Sequence, residues 1–181
     1  MNASAAELAP LWAGHLPATP IGPLTVVVSP VGLVRLEFAA LPAVSAGLRA
    51  WLAPARQPAP THLADALRQL AEYLDGRRRE FDLPIDWRAV PDFSAAALRA
   101  AEAIPCGQVR TYGELAAEMG LTNGARAVGQ AMAGNPIPII LPCHRVLGAD
   151  RRLHGYSGLN GIETKAWLLK LEGSTFQSQL F

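Results

Sequence analysis

Ile139-Ile140-Leu141-Pro142-Cys143-His144-Arg145-Val146 runs an apolar segment into a proline and then presents a thiol, an imidazole and a guanidinium in successive positions. Pro142 fixes its own φ and carries no N–H, so the chain entering Cys143 cannot be ordinary ladder. A cysteine beside basic neighbours is the arrangement that yields a usable thiolate. A lone cysteine in apolar surroundings is more often an inert core residue than a nucleophile. The stretch reads as a strand bearing Cys143, and its flanks decide between the two.

Upstream, Asn135-Pro136-Ile137-Pro138 is a rigid loop with one side chain able to bond nearby backbone. Before it, Ala125–Ala133 reads as a helix ended by Gly134, and Thr111 with Glu114 forms a capping box opening a short helix that Gly120 closes. Two short helices around Leu121-Thr122-Asn123-Gly124 have helix-turn-helix spacing, with Leu115, Met119 and Val128 as inner seam. Ala125, Ala127, Gly129, Ala131 and Ala133 leave the second helix without bulk. That is either helix propensity or a face that can lie close to a nucleic-acid groove, with Arg126 rising from it. A further helix is expected over Ala95–Ile104, capped by Asp92 or Ser94 and stopped by Pro105 and Gly107. Downstream, Gly148–Gly155 is a polar turn and Gly155-Tyr156-Ser157-Gly158 a glycine-flanked loop suited to close backbone approach. Ile162–Leu171 reads as an amphipathic helix ended by Glu172-Gly173.

The first half has a different character. Residues 1–20 read as irregular. Pro23–Val28 and Gly32–Phe38 read as a hairpin turning at Ser29-Pro30-Val31-Gly32. Val44–Leu52 looks like a short helix and Ala53–Thr61 a loop. Thr61 is the expected N-cap of a helix with Leu63, Leu67, Leu70 and Leu74 on one face, stopped by Gly76. Arg77-Arg78-Arg79 is a solvated terminus, with phosphate contact as the alternative. Phe81–Trp87 alternates like an edge strand, where Pro84 is tolerated. A boundary falls at residues 88–92. The fold class is therefore α+β: a small antiparallel-sheet and helix domain, then a mostly helical one with the helix-turn-helix and Cys143.

A chain of 181 residues that is 50% hydrophobic is globular, and its net charge of +1 excludes a uniformly basic coat. Nucleic-acid contact would need a local patch. Cys106 and Cys143 form no CxxC pair, and His15, His62, His144 and His154 have no zinc-ligand spacing, so no metal is expected. Cys106, in a turn, reads as a structural thiol. No basic and apolar leader opens the sequence and no apolar run reaches the ~20 residues of a membrane helix. The expectation is a cytoplasmic protein with no membrane partner.

Ile104-Pro105-Cys106-Gly107-Gln108-Val109-Arg110-Thr111-Tyr112, Ala125-Arg126-Ala127-Val128-Gly129, Gly134-Asn135-Pro136, Pro142-Cys143-His144-Arg145-Val146 and Gly155-Tyr156-Ser157-Gly158, in that order, resemble the O6-alkylguanine-DNA alkyltransferase family. The resemblance implies an RNase H-like N-terminal domain over residues 1–90, the DNA-binding and catalytic domain over 91–173, and a tail over 174–181. It implies direct-reversal repair: single-turnover transfer of an alkyl group from O6 of guanine, and from O4 of thymine, to Cys143. Partner and cofactor follow from it too: double-stranded DNA bound through the minor groove, no cofactor, and a monomer.

On the same resemblance His144 would draw the thiol proton through a water, Glu172 would orient the imidazole, and Tyr112 would protonate the leaving base. Arg126 would fill the gap left by a flipped nucleotide, beside Thr111, Ala125, Ala127 and Gly129 on the DNA. Met132, Pro138 and Tyr156 would wall the base pocket, backbone near Val146 and Ser157 would read the base, and Asn135 would brace the turn. Phe93–Leu98 departs from the family pattern, which bears on packing between domains. Gly158, where some bacterial relatives carry a bulky aromatic, hints at tolerance of larger alkyl groups. Three other readings stand beside this one: a non-catalytic binder of alkylated DNA, a cysteine hydrolase, and a transcription regulator with a structural cysteine.

Overall fold

A computed structural model of the chain describes residues 5–43, 50–53, 56–156, 158 and 160–176. The chain divides into two compact units, Met1–Pro91 and Asp92–Phe181.

In the first unit β1 (Trp12–Leu16), β2 (Leu24–Val28) and β3 (Leu33–Glu37) form an antiparallel sheet in that order. The β2–β3 hairpin is the expected one, turning where the Ser29 N–H donates to the Gly32 carbonyl. Every residue of β2 is buried, because the sheet is covered on both faces. One face meets α2 (Thr61–Leu74), which packs on β1 and β2 and buries Leu63, Leu70 and Leu74. On the other, Leu8, Leu11, Val27 and Val34 form a cluster with Ala13, Leu41, Leu52 and Ala89 packed against it. Burial on both sides explains an apolar run without alternation in β2.

Three expectations change here. Residues 1–20 are not irregular: α1 (Ala5–Leu8) and β1 lie within them. β1 escapes a propensity reading because Gly14 occupies its centre. A Cβ there would stand 2.7 Å from Leu67 Cδ1 and 3.3 Å from Leu63 Cδ1, so the glycine is the seat of α2. Thr61 is the first helical residue and not the cap; Pro60 holds the N-cap position with no side-chain bond. Phe81–Trp87 does not form an edge strand. Only Ile85 bridges Leu33, in parallel, since Pro84 can offer its carbonyl but no N–H. Of the helix expected over 44–52, residues 44–49 lie outside the described residues, and Leu52 makes one bridge to Leu11. Arg77 and Arg78 pair with Asp75 and Glu72, as a solvated helix end would.

The second unit packs α3 (Asp92–Glu102), α4 (Tyr112–Glu118) and α5 (Ala125–Ala133) against one another. α3 begins at Asp92, three residues ahead of the expected start, and ends two residues short of Ile104. The capping box of α4 is present in full: Glu114 N–H donates to Thr111 Oγ1 at 3.1 Å, and Thr111 N–H to Glu114 Oε2 at 2.6 Å. α5 has the predicted bounds. Leu115 and Val128 are fully buried between the helices, whereas Met119 is half-buried. Two-residue strands β4 (Arg110–Thr111) and β5 (Val146–Leu147) pair in parallel, which ties the entry of α4 to the chain leaving Cys143. α6 (Ile162–Leu171) has the predicted bounds, and Ala166 and Leu169 are buried on its inner face. Ile162 is 40% exposed, while Thr164, Lys165, Leu168 and Leu169 are buried. Among the described residues no helix is long and apolar enough to cross a membrane.

Candidate active site

Cys143, His144 and Arg145 are not on a strand. They form one 3₁₀ turn, all three buried, in which the Arg145 N–H donates to the Pro142 carbonyl at 2.9 Å. Pro142, which cannot continue a ladder, starts it. The approach is held by Asn135, whose Nδ2 donates to the Leu141 carbonyl at 2.7 Å and whose Oδ1 accepts from Ile137 N–H at 2.9 Å. Within that loop Ile139 is buried with φ 74, a left-handed conformation costly for a β-branched residue.

The turn sends His144 and Arg145 to one carboxylate. His144 Nε2 lies 3.0 Å from Glu172 Oε1. Arg145 forks onto the same group, with Nε 3.0 Å from Oε2 and Nη2 2.8 Å from Oε1, and its Nη1 donates to the Ile104 carbonyl at 2.6 Å. Burial alone would raise the Glu172 carboxyl, but the hydrogen bonds from His144 and Arg145 hold it well below the usual carboxylate range. Burial lowers His144, partly offset by Glu172, so the ring is neutral. A carboxylate only accepts, so Nε2 carries the proton and Nδ1 the basic lone pair.

Burial pushes the Cys143 thiol up; a hydrogen bond from Asn135 and the charge of Lys165 act against it. Lys165 is fully buried on α6, donates from Nζ to the Val146 carbonyl at 2.6 Å, and stands 5.9 Å from the centre of the Tyr112 ring. Desolvation lowers Lys165 to about 8, with Cys143 opposing the shift. Burial, and then the nearby Cys143, raise Tyr112, which stays a phenol.

A cavity of about 630 Å³ opens onto Cys143. Tyr112, Met132 and Tyr156 line it, together with Ala125, Arg126 and Gly129 of α5. Ala133 and Gly155 complete the lining with Gln130 and His154, neither of the last two anticipated. Asn135, Pro138, Val146 and Gly158 are buried behind the wall. The Val146 carbonyl already accepts from Lys165 and keeps one lone pair for a ligand. Thr111 serves the capping box, Ala127 is half-buried on α5, and Ser157 lies outside the described residues. Among the described residues no group of three or more His, Cys, Asp or Glu side chains could hold a metal ion.

Sequence reasoning missed Lys165 and the pairing of Arg145. Lys165 sits in a helix whose apolar spacing suggests a polar outer face there. Its signal is three-dimensional: a lysine on the face that α6 buries.

Two family models match the chain: "6-O-methylguanine DNA methyltransferase, ribonuclease-like domain" over residues 15–87 and "6-O-methylguanine DNA methyltransferase, DNA binding domain" over residues 92–174. The chain is 40% identical over 165 residues to the methylated-DNA–protein-cysteine methyltransferase of Mycobacterium bovis, covering 90% of this chain and 93% of the relative. It is 42% identical over 118 residues to the constitutive enzyme of that name from Bacillus subtilis, covering 65% and 70%. Among solved structures, Mycobacterium tuberculosis OGT in complex with DNA matches at TM-score 0.73 and 40% identity, covering 89% of this chain and 92% of that one. The M. tuberculosis O6-methylguanine methyltransferase matches at TM-score 0.75 and 38% identity, covering 94% and 97%.

Proposed function

The chain belongs to the 6-O-methylguanine DNA methyltransferase family, and from that premise we propose that it repairs DNA by moving the alkyl group of O6-alkylguanine onto Cys143 in a single turnover. The observation that carries this is a buried thiol at the floor of a cavity, on the same turn as an imidazole bound to a carboxylate.

The geometry supports a role for each residue. His144 Nδ1 takes the Cys143 proton through a water, and Glu172 stabilises the imidazolium. The thiolate attacks the alkyl carbon in line, an S–C bond forms, and the C–O6 bond breaks with its electron pair passing to the base. Tyr112, kept protonated by burial, donates to the ring nitrogen of the departing guanine. Lys165 steadies the thiolate before transfer and the tyrosinate after it. The thioether leaves no group able to reverse the step, so each molecule acts once.

An alkylated guanine lies inside the stack, and rotating it out costs a few kcal/mol. The small-residue face of α5 fits the minor groove, with Arg126 entering the duplex where the nucleotide leaves. The two units serve as an RNase H-like N-terminal domain and a catalytic domain. The protein works as a cytoplasmic monomer on double-stranded DNA.

Intact-mass measurement after incubation with an O6-methylguanine duplex tests this. One methyl replacing one hydrogen is expected on the wild type, mapping to Cys143, and none on Cys143→Ala. Reduced wild type that binds the duplex and gains no mass would overturn the reading.

A further inference from the structure

The chemistry above leaves the one histidine of the cavity lining unused. His154 lines the cavity mouth beside Arg126 and Tyr156. Its Nε2 lies 3.0 Å from Asp150 Oδ1, and its side chain is 57% exposed. The ring is seated closely: a Cβ on Gly148 would fall 2.3 Å from His154 Cδ2 and 2.5 Å from Nε2. Glycine at 148 is what admits the imidazole. Asp150 Oδ1 also accepts from Arg152 N–H at 3.0 Å, fixing the carboxylate that orients the ring. Arg151, with φ 55, reaches Glu114 in the α4 capping box at 3.3 Å, and Lys165 Nζ lies 3.4 Å from the His154 carbonyl. The loop is thus tied to α4 and α6, which carry Tyr112 and Lys165. Its net charge is positive, since Arg151 and Arg152 outnumber Asp150.

We propose that His154 is a further recognition residue of the transfer reaction, binding a backbone phosphate of the nucleotide that enters the cavity. A base rotated out of the duplex, on which this depends, brings its flanking phosphates to the cavity mouth, and side-chain donors there set register without reading sequence. With Nε2–H donating to Asp150, it is the imidazolium form of the ring that binds the phosphate, donating its Nδ1–H to a phosphate oxygen. A purely apolar wall would have no use for an aspartate partner or a glycine seat.

A cycle that pairs the side chain with the phosphate charge tests this. Single-turnover transfer to Cys143 is measured for wild type, His154→Phe and His154→Lys on an O6-methylguanine duplex, and on duplexes with a neutral methylphosphonate at either phosphate flanking the lesion. Wild type should lose about tenfold at one of the two positions, the scale of one charge-assisted hydrogen bond. His154→Phe should show that loss on the normal duplex and none further on the modified one, and His154→Lys should recover most of the rate. Alkylation of Cys143 by iodoacetamide at the wild-type rate shows that the variants keep the site. His154→Phe at the wild-type rate, or losing equally on both duplexes, would overturn the inference, as would a wild type indifferent to both methylphosphonates. Transfer by wild type on the normal duplex, which must be present throughout, keeps this outcome separate from failure of the repair reading.

Discussion

Arg145 and Glu172 meet as a buried fork, Nε to Oε2 at 3.0 Å and Nη2 to Oε1 at 2.8 Å, and the same carboxylate holds His144. One group therefore anchors a structural cation and orients a base. Glu172→Gln leaves Arg145 buried without its counter-charge, a loss of about 3–5 kcal/mol. Thermal unfolding should shift down accordingly, and transfer should slow at temperatures where the variant remains folded. The pH response separates charge from packing. The folded Glu172 pKa lies below its ordinary 4.5, so its contribution is full above that pH and fades as pH falls below it. Denaturant titrations of wild type should lose stability over that acid range. Glu172→Gln should lack this part of the slope.

Lys165→Met removes the cation that opposes desolvation of the Cys143 thiol. Below about pH 8, where Lys165 is charged, alkylation of Cys143 by iodoacetamide should slow about tenfold, or ~1.4 kcal/mol. Transfer at neutral pH should slow about tenfold on the same scale. Because Lys165 itself titrates at about 8, the two proteins should converge as pH rises past that value. Parallel profiles throughout would count against the electrostatic role.

Arg126→Ala tests the entry of α5 into the duplex. Single-turnover transfer from a lesion in duplex DNA should fall roughly 10–100-fold, matching the few kcal/mol of unstacking that an inserted side chain offsets. Transfer from the same lesion in a single strand, already unpaired, should fall much less. Equal losses on the two would point to a damaged site and not to impaired flipping.

Gly158→Trp should narrow the cavity from behind. A Cβ at 158 would stand 2.4 Å from Tyr156 Cε1 and 3.1 Å from Thr164 Cγ2, so the Tyr156 ring must move. Rates on benzyl adducts should fall about tenfold more than rates on methyl adducts, within the range a resized apolar pocket achieves. Competition between the two duplexes, scored by adduct mass, gives the ratio directly.

The α4–α5 pair was readable because each signal was local: a Thr111–Glu114 box, glycine stops, and alanines that admit few other readings. The β2–β3 hairpin was legible for the same reason. β1 was not, because Gly14 is explained only by Leu63 and Leu67 from a helix some fifty positions on. Pro84, with no N–H to offer, left only one bridge where alternation suggested an edge strand. At the site, Cys143, His144 and Glu172 came together as expected from the family resemblance. The 3₁₀ turn that brings His144 and Arg145 to one carboxylate was hidden by reading the apolar run as a strand. Lys165 was invisible because burial of a lysine is decided by what faces it, here Val146 and Tyr112.

The left-handed backbone at Ile139 bears on a protein consumed by its own reaction. An enzyme that turns over can tolerate a nucleophile correctly aimed part of the time, since later cycles compensate. A reagent used once cannot average over attempts. Asn135 and the packing around Ile139 maintain an unfavourable local conformation in advance, and so remove that scatter from the thiol before any lesion is encountered.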